Sequence, residues 1–242
     1  MTKEEILHEV VNSKWQPEFE FTDDLDDVVD SILKPHEDYL LNLHDKVKEI
    51  IKREILYFDG LKNQNPFYPE YSDYKITFED ICNWQKELFE HKKRLINNIQ
   101  IQSETYQTTE EYKKMFPALY EYKLFADKVK NLPNQYINLG LRKINVKVGD
   151  WTPPHPMFLE DLKEMCFPVS INNDKTLLLD NICKGGSIQT KEQIVFWLTK
   201  WYKIFETIYF FEDLNGRIGG IVIKIFSFLL TGKYIKKKDL TD

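Results

Sequence analysis

The chain has 242 residues, of which 42% are hydrophobic and 14% aromatic, enough apolar material for a full core in one domain with an appendage. Its formal net charge of −6 argues against the basic stripe of a nucleic-acid binder. Three widely spaced cysteines, Cys82, Cys166 and Cys183, do not read as a disulfide framework, so a reducing, cytoplasmic setting is expected, with delivery into another cell by a dedicated secretion system still compatible.

Met1 to Glu5 is followed by no apolar signal core, and the longest apolar run, Ile221 to Leu230, is interrupted by Lys224. That run is too short to span a bilayer and reads as a buried helix, so no membrane partner is expected. Asp23, Asp24, Asp26, Asp27 and Asp30 crowd around Leu25, Val28 and Val29. The cluster lacks the glycine turn and distal glutamate of a calcium loop, and reads better as acidic residues at a helix N-terminus. Pro35 then opens a helical pattern in which Leu40, Leu43, Val47, Ile50 or Ile51, and Ile55 recur every three or four residues, predicted to end near Gly60.

Asn63 to Glu70, with Pro66 and Pro69, marks a connecting loop and the best boundary. It divides an N-terminal helical extension, 1–62, from a core, 63–242. Thr77 can cap the next helix, with Asp80 at the capping-box position. Ile144, Val146 and Val148 alternate with Asn145 and Lys147 before Gly149-Asp150, predicting a hairpin over about 141–152. A helix from Pro156 to Met165, one from Thr190 to Ile208, and a buried one from Ile218 to Leu230 follow, and Lys233, Lys236, Lys237 and Lys238 read as a solvated tail. The fold class expected is mainly α with one short β-hairpin.

Three stretches carry a family resemblance. Tyr209-Phe210-Phe211-Glu212-Asp213-Leu214-Asn215-Gly216-Arg217-Ile218-Gly219-Gly220 resembles the Fic signature HPFx(D/E)GNGRxxR, matching at Phe211, Asp213, Asn215, Gly216 and Arg217. Gly140 to Pro156 resembles the Fic flap, roughly GxxRxxxVxVGxxxPPxP, through Arg142, Val148, Gly149, Pro153 and Pro154. Ile76 to Phe89 is similar to the opening helix of a Fic core. The resemblance covers roughly residues 40–235, in the family's order.

It implies a helical Fic core with a hairpin flap, and a family activity that transfers AMP from ATP to a hydroxyl of a target protein. It assigns Asn215, Gly216 and Arg217 to nucleotide phosphates, Asp213 to Mg²⁺, and Arg142, Ile144, Val146, Val148, Pro153 and Pro154 to the flap, whose exposed strand edge aligns a protein target by strand addition. A loop running into a helix suits that assignment, since the first-turn N–H groups and the helix dipole attract anions. Gly216 permits close approach, and Arg217 offers charge-assisted bonds.

The departures oppose transfer. Tyr209 stands at the histidine position, and an unperturbed phenol, with a pKa of about 10, is a poor base at neutral pH; general-base help is worth about 10²- to 10⁴-fold. Gly220 replaces the final arginine and Leu214 a glycine. Ile55, Asp59 and Gly60 resemble a degenerate form of the family's inhibitory motif (S/T)xxxE(G/N), whose partner would be that missing arginine; a plain helix end explains Asp59-Gly60 equally well. The reading favoured is a Fic-like protein acting through protein or nucleotide binding without AMP transfer. The alternatives are a transferase with altered chemistry on a protein hydroxyl, and a regulatory subunit that buries its motif against a partner.

Overall fold

A computed structural model describes residues 5, 8, 18–25, 43–64, 75–104, 140–167, 169–170 and 190–237. The start of the first long helix at Pro35, most of the acidic cluster and of the boundary loop, Cys183 and Lys238 lie outside the described residues.

The described chain is mainly helical, with short antiparallel strand pairs. In chain order it forms β1 (Phe19–Thr22), α1 (Leu43–Gln64), β2 (Lys75–Ile76), α2 (Phe78–Glu104), α3 (Leu159–Lys163) behind a 3-10 turn at Pro156–Phe158, β3 (Val169–Ser170), α4 (Lys191–Ile208), α5 (Asn215–Thr231) and β4 (Tyr234–Lys237). No helix among the described residues is long and apolar enough to cross a membrane.

Helix α1 buries Leu43, Val47, Ile50, Ile51, Ile55 and Phe58, the stripe its three- and four-residue spacing predicts. It does not stop at Gly60 but continues to Gln64, because one glycine in a helix costs only about 1 kcal/mol and the packed stripe before it outweighs that. Helix α2 begins at a capping box built with aspartate. The Thr77 N–H and hydroxyl both donate to Asp80 Oδ2, at 2.7 and 2.6 Å, and the Asp80 N–H returns a bond to Thr77 Oγ1 at 3.2 Å. Arg53 of α1 grips both carboxylate oxygens of Glu87 on α2 at 3.0 Å, and Trp84 donates its indole N–H to Glu54 at 3.3 Å.

Helix α4 starts where the sequence places it, with Thr190 and Gln193 forming a reciprocal cap. Helix α5 is buried from Ile218 through Ser227 and packs against α4, α1, α2 and β4. Its approach to α4 requires a glycine: a Cβ at Gly219 would stand 2.9 Å from the rings of both Phe205 and Tyr202. Leu25, residues of α1 and Ile235 of β4 share one core with α2, α4 and α5, so residues on both sides of position 62 contribute to it.

Two sequence expectations change. Residues 234–237 are strand β4, not a solvated tail: they pair antiparallel with β1, Phe21 opposite Ile235 and Glu20 opposite Lys236. Tyr234 and Ile235 are buried, and those two apolar residues between lysines are what draw the segment onto the core. The hairpin expected over 141–152 narrows to one bridged pair, in which Val148 and Trp151 exchange N–H···O bonds of 2.9 and 3.0 Å around Gly149-Asp150. Gly149 takes φ 59° at that turn, a conformation that suits glycine.

Candidate functional site

Helix α4 ends at Ile208, and Tyr209 turns the chain out of it with φ 55° in the left-handed region. Phe210 and Phe211 follow, both fully buried. They pack among Phe78, Phe167 and Phe205, with ring centroids 5.5 to 6.4 Å apart, contacts worth about 0.5–1.5 kcal/mol per pair beyond area burial. The motif loop is thus pinned by its aromatic residues from below.

Asn215 closes the loop. Its side-chain oxygen accepts from the Phe211 N–H at 2.9 Å and its amide donates to the Phe211 carbonyl at 2.8 Å, so a buried amide satisfies both backbone groups of one buried residue. Leu214 reaches α5 with φ 73°, the left-handed backbone that favours glycine, and its buried side chain holds it there. Asp213 Oδ1 accepts from the Leu214 N–H at 2.7 Å. The helical ladder begins with the Ile218 N–H bonded to the Leu214 carbonyl at 2.9 Å, so the N–H groups of Asn215, Gly216 and Arg217 precede it, as at any helix start.

The electrostatics of this loop are more acidic than the motif alone suggests. A Cβ on Gly216 would meet Glu206 Oε2 and the Tyr202 hydroxyl, each at 3.7 Å, so a carboxylate flanks the position expected to receive an oxyanion. Tyr202 and Glu206 lie one turn apart on one face of α4, and Tyr209 follows just past its end. Burial pushes the Tyr209 phenol above its ordinary pKa, Asp213 and Glu206 push it further, and the Asn215 hydrogen bond and Arg217 pull the other way. The Tyr202 hydroxyl is raised well above its usual value by burial and then by Glu206. Arg217, 15% exposed at its side chain, lies with Nη1 4.0 Å from Asp213 Oδ1, so the motif's cation faces the motif's carboxylate.

The flap is fastened to this loop. Arg142 is buried, and its backbone N–H donates to the Phe210 carbonyl at 2.8 Å. Its guanidinium donates from Nε to the Tyr209 carbonyl at 2.7 Å, from Nη1 to the Ile144 carbonyl at 2.9 Å, and from Nη2 to the Pro154 carbonyl. Burial lowers its pKa from the ordinary arginine value, with Tyr209 acting in the opposite direction. Trp151 adds a bond from Nε1 to the Thr207 carbonyl at 3.1 Å. Pro153 and Pro154 are buried, Val146 is half-buried, and Ile144 and Val148 are 41% and 39% exposed.

The structure therefore brings together Tyr209, Asp213, Asn215, Gly216, Arg217 and Arg142. Ile55, Asp59 and Gly60 lie on α1, with Ile55 buried and Asp59 exposed; among the described residues no hydrogen bond or ion pair joins Asp59 to the loop. Asp213 is the residue expected to hold Mg²⁺, and among the described residues no group of three or more His, Cys, Asp or Glu is placed to hold a metal ion. Sequence reasoning missed Tyr202 and Glu206, although their four-residue spacing in the helix that leads into the motif carries the signal. Arg142, a flap residue by the resemblance, spends its side-chain donors on backbone carbonyls. No family model, no curated protein and no solved structure matches this chain.

Proposed function

We propose that this chain is a Fic-like binding module that holds an extended protein segment along the outer edge of residues 143–151 and transfers no AMP. The observation that carries the reading is the Arg142 tether: one buried guanidinium and its own N–H tie the flap to the carbonyls of Tyr209, Phe210 and Pro154, while Ile144 and Val148 stay at the surface. A held backbone with exposed apolar side chains suits strand addition, in which main-chain bonds give affinity and alternate side chains give specificity. The loop beside it is poorly equipped for proton abstraction, since burial, Asp213 and Glu206 all favour the neutral phenol of Tyr209. Glu206 beside Gly216 opposes a polyphosphate at the head of α5.

The test has two arms. Incubated with labelled ATP and Mg²⁺, the wild-type chain is expected to label neither itself nor added protein, whereas robust label that is lost in Tyr209→Phe would make it a transferase. Screened on arrays of extended peptides, it should select a sequence pattern whose binding is reduced at least tenfold by Ile144→Asp or Val148→Asp. Binding untouched by either substitution would remove the flap from the interaction.

A further inference from the structure

Lys224 stands in the middle of α5 with no accessible surface, and its Nζ has no hydrogen-bond partner among the described residues. A lysine buried this way is rare, because an unpaired ammonium in an apolar interior costs several kcal/mol. The elements packed on α5 offer it little. Among the side chains described, the buried face of α1 is Leu43, Val47, Ile50, Ile51, Ile55 and Phe58, and that of α2 is Ile81, Trp84, Gln85 and Leu88, with no ionisable group in either set; the titratable Glu54, Cys82 and His91 on these helices are only half-buried. On α4, Tyr202 and Glu206 meet α5 at Gly216 and Gly219, one to two turns before Lys224, and the buried Lys203 is itself a cation. Strand β4 contributes Tyr234 and Ile235. Burial alone acts on the amine and lowers its pKa to about 7.

We propose that Lys224 is a proton-operated latch: α5 is closed with the amine neutral, and protonation loosens the helix together with Asn215, Gly216 and Arg217 at its head. It acts on α5 itself, whatever the flap binds. The sign follows from proton counting. The unfolded lysine titrates at about 10.4, so above a folded value of about 7 the native chain binds fewer protons than the unfolded one. Stability then rises with pH, by about tenfold in the unfolding constant per pH unit, and below the folded value the gain is fully lost. Cys82, raised to about 11, and Cys166, Tyr202 and Tyr234, also raised by burial, act in the opposite sense above their ordinary values. Lys203, also lowered by burial, acts in the same sense as Lys224, so the share of Lys224 is the difference between wild type and a Lys224 variant over about pH 7 to 8.5, below the range of the thiols and phenols.

Urea unfolding of the full chain across that window is expected to show the wild-type unfolding constant falling about 15-fold more than that of Lys224→Met; parallel profiles would overturn the proposal. Should Lys224→Met fail to fold, the wild-type chain carrying ¹⁵N-labelled lysine decides the matter: an amine titrating near neutrality supports the latch, and none titrating below about 10 overturns it. Amide exchange, corrected for its intrinsic pH dependence, should report more frequent opening of residues 215–228 at the lower pH. Opening that is independent of pH there would equally count against the latch.

Discussion

Leu214 holds φ 73°, which costs a side-chain-bearing residue about 1–2 kcal/mol, yet that side chain is almost wholly buried, and emptying such a site costs about 2–5 kcal/mol. Packing exceeds strain, so Leu214→Gly is expected to lose about 1–3 kcal/mol of stability despite relieving the backbone. A more stable Leu214→Gly in urea titration would show that strain dominates. Asn215 carries a larger share of the loop. Asn215→Ala leaves the buried Phe211 N–H and carbonyl unsatisfied, and a loss of about 2–4 kcal/mol is expected, measurable as a fall in Tm. Gly216→Ala is expected to stay within about 0.5 kcal/mol of wild type, because its Cβ would meet only ordinary contacts at 3.7 Å and alanine favours the helix.

Between elements, Gly219 is the glycine that packing demands. Gly219→Ala places a methyl group 2.9 Å from ring carbons of Phe205 and Tyr202 and is expected to cost about 1–3 kcal/mol through overpacking. Unfolding of this variant alongside Gly216→Ala checks the contrast, and equal stabilities would mean that α4 and α5 separate freely. What was legible in the sequence follows from range. Helix α4 was readable because Thr190 and Gln193 set its start locally, and the stripe of α1 because its period is internal to one helix. The end of α1 was not readable, since Gly60 signals a stop that packing overrides. In the flap, the alternation of Ile144, Val146 and Val148 suggests strand, but among the described residues only Val148 has a bridge partner, Trp151. The resemblance assigns Arg142 only to the flap, while its bonds run to carbonyls 67 and 12 residues distant, which no local pattern encodes.

Across the whole molecule, the least legible feature is the pairing of β1 with β4, whose flanking ion pair joins Asp23 and Lys233 over 210 residues. Loop-closure entropy makes so distant a contact unfavourable until the intervening chain has folded, so β1 and β4 need a strong local reason to meet. Two candidates compete: the ion pairs Lys233–Asp23 at 2.8 Å and Lys236–Glu20 at 3.3 Å, and the burial of Ile235 opposite Phe21. Magnitude decides between them. The carboxylates are 76% and 44% exposed, and exposed pairs contribute about 0–1 kcal/mol, whereas truncating a fully buried isoleucine costs about 2–5 kcal/mol. Ile235→Ala is therefore expected to destabilise the chain by about 2–4 kcal/mol and to expose the β1 amides to exchange. Lys233→Ala and Lys236→Ala should each cost less than about 1 kcal/mol and leave β1 protected. Because salt weakens exposed ion pairs and spares apolar contacts, the Ile235→Ala deficit should be nearly unchanged in high salt. Lysine variants as damaging as Ile235→Ala, with a deficit that salt abolishes, would mean that charge and not burial joins the two strands.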